Sequence, residues 1–327
     1  MNDTPSPTGS YENQSPENSL ASSPEPAPPK REWDKLIFTN ARGIRAGWRL
    51  LIFIGIGATL GYGIRLILMR LQGSAAAPKG PFTPERAMLG EGLTLAIALA
   101  AAAIMSVIES RKFHIYFAPV TARWWRNFFT GIGWGFLALS LLLLLIRIPG
   151  DYSLGMLSSH GGVLARDAIL WAIMFILVGC TEEFLMRGYA QFTLATGIGF
   201  WPAAILLSLL FGFGHHGNLG EDIVGLMSAG LIGLFFAFTL WRTGSLAFAI
   251  GMHFMWDYCE SFVFGTPDSG LVSKGVLFRA HFQGSPWISG GSVGPEGSVL
   301  IFAVIALLFA AFHFAYPQRR YPDPKTL

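Results

Sequence analysis

Three short stretches of this chain place ionisable side chains inside otherwise apolar sequence. In chain order they contain Glu182, Glu183 and Arg187; then His215 and His216; then His253 and Asp257. Carboxylates and imidazoles are the side chains that enzymes use most for general acid–base catalysis, and both are ligand types that zinc accepts. These residue types predict a catalytic or metal-binding centre, provided that the fold brings the three stretches together.

The spacing within the stretches indicates which side chains share a helix face. Glu183 and Arg187 are four residues apart, as are His253 and Asp257, so each pair can interact on one face. The adjacent residues Glu182 and Glu183 point about 100° apart on a helix. One glutamate can therefore face a cavity while the other pairs with Arg187. Two carboxylates in such different environments can take different chemical roles.

The depth of each stretch in a helical bundle follows from the nearest chain reversal. Glu182 and His215 lie at equal sequence distance from a Gly- and Pro-containing reversal at residues 197–202. In an antiparallel helix pair such residues lie at equal depth. His253 lies about eight residues beyond the next turn, near residues 242–245, which corresponds to a depth of about 12 Å. The sequence therefore predicts that the three stretches meet in the middle of the bundle.

The composition indicates that the helices carrying these residues cross a lipid bilayer. Of 327 residues, 52% are hydrophobic and only 13% are charged, against about 25% charged in soluble proteins. The net charge of +3 is small, and no basic patch is interleaved with aromatic residues, which excludes a nucleic-acid partner. The expected partner is the membrane itself.

Eight apolar segments approach the length of about 20 residues that crosses a bilayer. They cover residues 47–69, 88–107, 128–146, 167–195, 202–215, 223–240, 246–262 and 299–315. The predicted fold class is an all-α, polytopic membrane bundle of about eight transmembrane helices. An ionisable side chain inside such a span costs roughly 2.5–3.5 kcal/mol on insertion scales, so it usually faces the protein interior and has a function.

The chain divides into four regions by composition. Residues 1–35 are rich in Pro, Ser, Glu and Asn and have almost no large apolar side chains, which predicts a disordered tail. Residues 36–164 hold the first transmembrane helices, and residues 165–262 hold the predicted catalytic core. Residues 263–327 hold an irregular Gly-, Ser- and Pro-rich loop and the last span.

The distribution of Lys and Arg predicts that both termini are cytoplasmic. The basic residues on the predicted inner side are Lys30, Arg31, Lys35, Arg42, Arg45, Arg111, Lys112, Arg123, Arg126, Arg242, Arg319, Arg320 and Lys325. Three basic residues oppose this orientation, namely Arg70, Lys79 and Arg86. The chain is expected to be a multi-pass protein of the cell membrane.

The three motifs resemble those of a known family. In order, on successive helices, they are Glu182-Glu183-xxx-Arg187, Phe211-xxx-His215 and His253-xxx-Asp257. This pattern resembles the CPBP family of intramembrane proteases, which includes the type II CAAX prenyl endopeptidases and the bacterial Abi-type proteins. The resemblance covers about residues 165–260. It implies that Glu183 and Arg187 hold the site together, and that the membrane is a bacterial plasma membrane.

The resemblance implies an eight-helix fold and hydrolysis of a peptide or protein substrate inside the membrane. It implies that Glu182 and His215 activate a water molecule for attack on the peptide carbonyl. His253 and the residue at Asp257 would then stabilise the developing oxyanion. The prenyl endopeptidases carry Asn at this last position, and an ionised Asp cannot donate a hydrogen bond. Asp257 would therefore be protonated, orient His253 or bind a metal, which puts CAAX-type specificity in doubt.

Metal dependence stays open, because the family has been described both as metalloproteases and as metal-free glutamate proteases. No cofactor is certain. A divalent metal such as zinc is compatible with Glu182, His215 and His253 by ligand type.

Other interpretations of the same residues also stay open. The charged residues of the first stretch could serve only to tie helices together. His215 could cap its helix, and His253 and Asp257 could form a structural hydrogen-bonded pair. Cys180 and Cys259 are expected to be free thiols, and the apolar flank of Cys180 indicates an inert one.

A non-enzymatic membrane scaffold or immunity protein would keep the polar core without turnover. A proton-coupled transporter is the third alternative, although the chain shows no internal repeat of the kind that many transporters have.

Overall fold

The computed structural model describes residue 9 and residues 37–40, 43–72, 83–116, 122–158, 161–218 and 220–323. The predicted disordered tail, residues 1–35, lies outside this part of the chain except for Gly9. The described residues are 74% helical, with two short strand pairs. The protein is an all-α membrane bundle, and its several apolar helices make it a multi-pass membrane protein.

Eight long helices account for most of the described chain. They are α1 Ala46–Gln72, α2 Pro84–Ile108, α3 Ala122–Arg147, α4 Gly161–Ile198, α5 Phe200–Gly214, α6 Ile223–Thr243, α7 Ala247–Asp257 with its continuation Tyr258–Val263, and α8 Ile301–Ala315. Each coincides with one of the eight predicted spans. The agreement follows from the long apolar runs, which give the chain no alternative to satisfying its backbone hydrogen bonds within helices.

Only five of the eight helices are long and apolar enough to cross a membrane by length and composition alone. They are α1, α2, α3, α4 and α6. The helices α5 and α8 have 15 residues each, which gives a length of about 22 Å, less than the bilayer core of about 30 Å. Both helices are therefore shorter than the bilayer core, and they lie among longer neighbours.

Two of the long helices widen locally into a π-helical turn. In α4 this turn covers Phe184–Ala190, and in α7 it covers Tyr258–Val263. Each begins directly after one of the predicted site positions, Glu183 in α4 and Asp257 in α7. Such turns re-aim side chains within a helix and are frequent at functional sites.

The chain reverses sharply between α4 and α5. Gly199 alone separates the two helices, and its φ of +88° is a conformation that other residues rarely adopt. Gln191 closes the corner, because its side-chain nitrogen donates to the carbonyl of Phe200 at 3.0 Å. The reversal predicted at residues 197–202 is confirmed, and it turns α5 back along α4.

Helices α3 and α7 pack backbone against backbone at the centre of the bundle. Glycines make this approach possible, because a Cβ on Gly131 would lie 2.2 Å from the carbonyl oxygen of Phe248, and one on Gly251 would lie 2.2 Å from that of Phe128. Small residues at helix interfaces are the usual means of close packing in membranes. The core around α7 is thereby fixed on one side by α3.

A buried ionic network ties α1, α2 and α4 together near one end of the bundle. Glu109 follows α2, and its carboxylate pairs with Arg49 at 2.6 Å and Arg111 at 3.3 Å. The hydroxyl of Tyr189 donates to the same carboxylate at 2.7 Å, and the Tyr189 ring stacks on Phe53 at 4.1 Å. This network anchors the first two helices to the helix that carries Glu182.

The segment between α7 and α8 folds back over the other end of the bundle. Its strand His281–Phe282 pairs antiparallel with Tyr152–Ser153, which follows α3. The indole nitrogen of Trp171 donates to the carbonyl of Lys274 at 3.1 Å. We call residues 264–297 the covering loop. Its contacts fasten it to both α3 and α4.

Candidate active site

The two adjacent glutamates of α4 lie in different surroundings. The Glu182 side chain is 35% exposed and lines a cavity, whereas the Glu183 side chain is fully buried. This difference follows from the helical geometry, which turns the two side chains about 100° apart. Glu182 can therefore meet water or substrate, and Glu183 can meet only protein.

Glu183 connects the other two buried polar side chains of the site. Its Oε1 accepts a hydrogen bond from Arg187 Nη1 at 2.8 Å and one from His253 Nδ1 at 3.1 Å. The Arg187 guanidinium also lies 4.5 Å from the ring centroid of Phe211 and 5.5 Å from that of Phe236. These contacts place one buried cation against one buried carboxylate and two aromatic faces. The hydrogen bond from His253 to Glu183 links α7 to α4 and fixes the His253 ring.

His253 has a carboxylate beside each of its ring nitrogens. Nδ1 is bonded to Glu183, while Nε2 lies 3.7 Å from Glu182 Oε2 and 3.5 Å from Asp257 Oδ2. The ring stacks on Phe236 with centroids 5.4 Å apart. A ring with both nitrogens protonated donates in both directions. This arrangement therefore suits an imidazolium held by carboxylates on both sides.

His215 stands at the end of α5 with one nitrogen already engaged. Its Nδ1 lies 2.8 Å from the carbonyl oxygen of Phe211. A carbonyl only accepts hydrogen bonds, so Nδ1 carries a proton, and in the neutral ring Nε2 is the nitrogen that can accept a hydrogen bond. His215 lines the same cavity as Glu182, and no ion pair within 4.0 Å joins the two side chains. The space between them is part of the cavity.

The cavity encloses about 480 Å³ between α2, α4, α5, α6 and α7. Its polar lining comprises Glu91, Glu182, His215, Asn218, Ser228, His253, Asp257, Ser261, Asp268, Ser269 and Glu296. Its apolar lining includes Met174, Phe175, Val178, Leu185, Met186 and Ile232. A pocket with mostly apolar walls and a few convergent polar groups is the usual form of a ligand site.

Four of the six predicted site residues meet at this cavity, namely Glu182, His215, His253 and Asp257. The other two, Glu183 and Arg187, lie behind its wall. Cys180 is not among the lining residues, and both cysteines are free, as expected. His216 is exposed beside the Phe213 ring.

Several cavity residues could not be identified from the sequence. Glu91, on α2, lines the cavity. The turn at Pro295–Gly297 places Glu296 at the cavity, where Glu296 Oε1 accepts from Trp256 Nε1 at 3.0 Å. Burial and the neighbouring Glu296 raise the pKa of Asp268 to about 7. Nothing in the sequence marks these loop residues, because no helical spacing connects them to the motifs.

The three candidate zinc ligands do not form a metal site in this arrangement. Among the described residues, the one group of three or more His, Cys, Asp or Glu side chains with ligand atoms within 4.8 Å of one another is Glu260, Asp268 and Glu296. Glu182, His215 and His253 are not such a group, although zinc ligands must converge at about 2.0–2.2 Å from one ion. The geometry therefore supports no reaction step through a metal at these residues.

Comparison with known proteins identifies the part of the chain that carries this site. The family model described as Type II CAAX prenyl endopeptidase Rce1-like matches residues 164–259. No curated protein and no solved structure matches the chain. The matched stretch contains all six predicted site residues and runs from α4 into α7. Residues 164–259 are thus similar to the Rce1-like type II CAAX prenyl endopeptidases.

Proposed function

We propose that this protein is an intramembrane endopeptidase that hydrolyses peptide bonds with a water molecule activated by Glu182 and His215. The observation that carries the proposal is that both side chains face one cavity, which His253 and Asp257 also line. The match to the Rce1-like family supports a CAAX-protease-like endopeptidase at the level of the family.

In the proposed reaction Glu182 is the general base. Glu182 accepts a proton from a water molecule whose other hydrogen bond goes to Nε2 of His215, and the water oxygen attacks the peptide carbonyl carbon. The proton then moves from Glu182 to the leaving nitrogen as the carbon–nitrogen bond breaks. General acid–base catalysis of this kind contributes about 10²–10⁴-fold to a rate.

His253 is proposed to stabilise the oxyanion that forms on the carbonyl oxygen. Its Nε2 lies on the cavity side, and Nδ1 is held by Glu183 at 3.1 Å, so the ring does not need to reorient during the reaction. Asp257, whose Oδ2 lies 3.5 Å from Nε2, keeps this ring protonated. In this role Asp257 supports His253 as a carboxylate and needs no proton of its own.

The substrate class is an apolar peptide segment that enters the cavity from the membrane. The apolar lining, which includes Met174, Leu185 and Ile232, suits aliphatic or aromatic side chains. Nothing in the lining distinguishes a prenyl group from such side chains. The proposal is therefore limited to the peptide.

The proposed location is a bacterial plasma membrane with both termini in the cytoplasm. In this orientation the covering loop faces the outside. A cysteine introduced by Trp287→Cys, at a side chain that is 63% exposed, should then react with a membrane-impermeant maleimide in intact cells. Labelling that occurs only after cell disruption would indicate the opposite orientation.

The test of the proposed reaction uses the full chain in detergent with a library of apolar peptides. We expect Glu182→Gln and His215→Ala to reduce cleavage by at least about 100-fold without loss of the folded state, because both side chains border the cavity. Glu85→Gln is the matched control, since Glu85 is an exposed carboxylate paired with Arg166. Cleavage that survives both cavity substitutions would exclude this site.

Cleavage measured after treatment with a chelator tests whether the hydrolysis needs a metal. The proposed reaction predicts that prolonged chelation leaves the catalytic step intact when the protein remains folded. Loss of cleavage that zinc alone restores, at unchanged unfolding temperature, would contradict a metal-free mechanism.

A further inference from the structure

A second group of carboxylates lies where α7 meets the covering loop. Glu260 belongs to the widened turn of α7, whereas Asp268 and Glu296 belong to the loop. One oxygen from each of the three carboxylates lies within 4.8 Å of the other two. None of these residues belongs to the motifs that the proposed reaction uses.

Two of the three carboxylates are oriented by hydrogen bonds. Asp268 Oδ2 accepts from the Ser261 hydroxyl at 2.9 Å. Glu296 accepts from the indole of Trp256 at 3.0 Å and from the Ser269 hydroxyl at 2.7 Å. Donors that orient carboxylates in this way are typical of the shell around metal ligands.

Glu260 is different, because it is fully buried and neither of its carboxylate oxygens has a hydrogen-bond partner. A buried charge without a partner is strongly unfavourable, and two further carboxylates nearby increase the repulsion. Within the part of the chain that the structure describes, no Lys or Arg forms an ion pair with Glu260, Asp268 or Glu296. No Lys or Arg side chain therefore balances the negative charge of this group directly.

The backbone closes tightly around this group. Gly294 has a φ of +104°, and a Cβ there would lie 2.1 Å from the carbonyl oxygen of Pro267 and 3.3 Å from Glu260 Oε1. No side chain can occupy this side of the group. The Gly294 backbone therefore lies directly against the Glu260 carboxylate.

We propose that Glu260, Asp268 and Glu296 bind a divalent cation of the oxygen-preferring class, calcium or magnesium. All three ligands are carboxylates, and neither a thiolate nor an imidazole takes part, which favours these hard cations over zinc or copper. The cation supplies the positive charge that the unpartnered Glu260 lacks.

The position of the site gives the cation a structural role. It joins the end of α7 to two points of the covering loop, and both Asp268 and Glu296 also line the cavity. The cation therefore fixes the loop wall of the cavity near Asp257. It takes no part in bond breaking, and the inference stands whether or not the protein hydrolyses peptides.

The test measures cation binding and thermal unfolding of the full chain in detergent after chelation. We expect one calcium or magnesium ion per chain by equilibrium dialysis, and a rise in unfolding temperature on the order of 5 °C at 100 times the dissociation constant. Glu260→Gln should abolish both effects. Glu85→Gln, an exposed carboxylate outside the group, should leave both unchanged.

The opposite results would overturn the inference. The cation site does not exist if neither ion binds the unaltered chain, or if Glu260→Gln leaves the binding and the temperature rise unchanged. If the Glu260→Gln variant fails to fold, the same two measurements are made on Asp268→Asn, because Asp268 is only partly buried. A chain that binds no ion would contain carboxylates that share protons instead.

Discussion

Replacing Gly135 by Ala should displace the helix that carries His253. Gly135 lies on α3 where that helix touches α7. A Cβ at this position would lie 2.5 Å from the carbonyl oxygen of Met252 and 3.2 Å from the backbone nitrogen of Trp256. Both contacts are with main-chain atoms, which cannot turn away as a flexible side chain can. The backbone of α7 itself therefore has to move.

The size of this displacement follows from the distances. Ordinary van der Waals contact begins at about 3.4 Å, so α7 must retreat by about 0.9 Å at Met252, the residue before His253. Overpacking of this kind lowers the free energy of unfolding by about 1–3 kcal/mol, and the higher helix propensity of Ala offsets at most about 1 kcal/mol of this loss. A displacement of about 1 Å in a catalytic group can reduce a rate by about 100-fold.

The chain offers a matched control two residues away. A Cβ on Gly133 would have no neighbour within 4 Å, so Gly133→Ala should keep turnover unchanged and leave stability equal or slightly higher. The assay combines thermal unfolding in detergent with cleavage of the peptide found in the library screen. We expect a lower unfolding temperature and about 10–100-fold slower cleavage for Gly135→Ala alone. Equal behaviour of the two variants would refute the packing argument.

Three further substitutions test the surroundings of the site. Glu183→Gln should reduce the free energy of unfolding by about 3–5 kcal/mol, because it leaves the buried charge of Arg187 without its partner; chemical denaturation measures this, and a loss below about 0.5 kcal/mol would contradict it. Asp257→Asn should slow cleavage by at least about tenfold, because the uncharged amide cannot hold the proton on His253, and cleavage at the rate of the unaltered chain would contradict this role of the carboxylate. Burial raises the pKa of Tyr152 from 10.0 to about 12, so the neutral side chain stabilises the fold below pH 10, and this stability is lost as the pH rises from 10 to 12. The Tyr152→Phe variant should therefore lose less stability than the unaltered chain between pH 8 and pH 11. Thermal unfolding measures this, and an equal loss in both proteins would contradict the assignment.

The helices could be predicted from the sequence because apolar length alone determines them. Each of the eight predicted segments lies on a helix, and Gly199 marks the reversal that sets α5 against α4. The short lengths of α5 and α8 could also be predicted, because their apolar runs end early. The sequence does not show that longer neighbours surround these two helices.

The meeting of Glu182, His215, His253 and Asp257 at one cavity could be anticipated from their distances to the nearest chain reversals. The hydrogen bond between Glu183 and Arg187 follows from their spacing of four residues. These features depend on regular helix geometry, which sequence spacing describes well.

The contribution of the covering loop could not be predicted. Glu296 and Asp268 reach the cavity through irregular backbone, for which no periodicity relates sequence position to direction. The widened turns after Glu183 and Asp257 were equally hidden, because they depend on tertiary packing. The place of Glu91 at the cavity was hidden for a related reason, since the sequence of α2 gives no sign of which face meets α4.

The central claim is that Glu182 and His215 act together on one water molecule. The most direct measurement compares the cleavage rates of Glu182→Gln, His215→Ala and the double variant in detergent. Groups that act as a unit lose nearly all of their effect when either is removed. We therefore predict that the double variant is no slower than the slower single variant. Rates that fall by the product of two independent effects, or single variants as active as the unaltered chain, would contradict the claim.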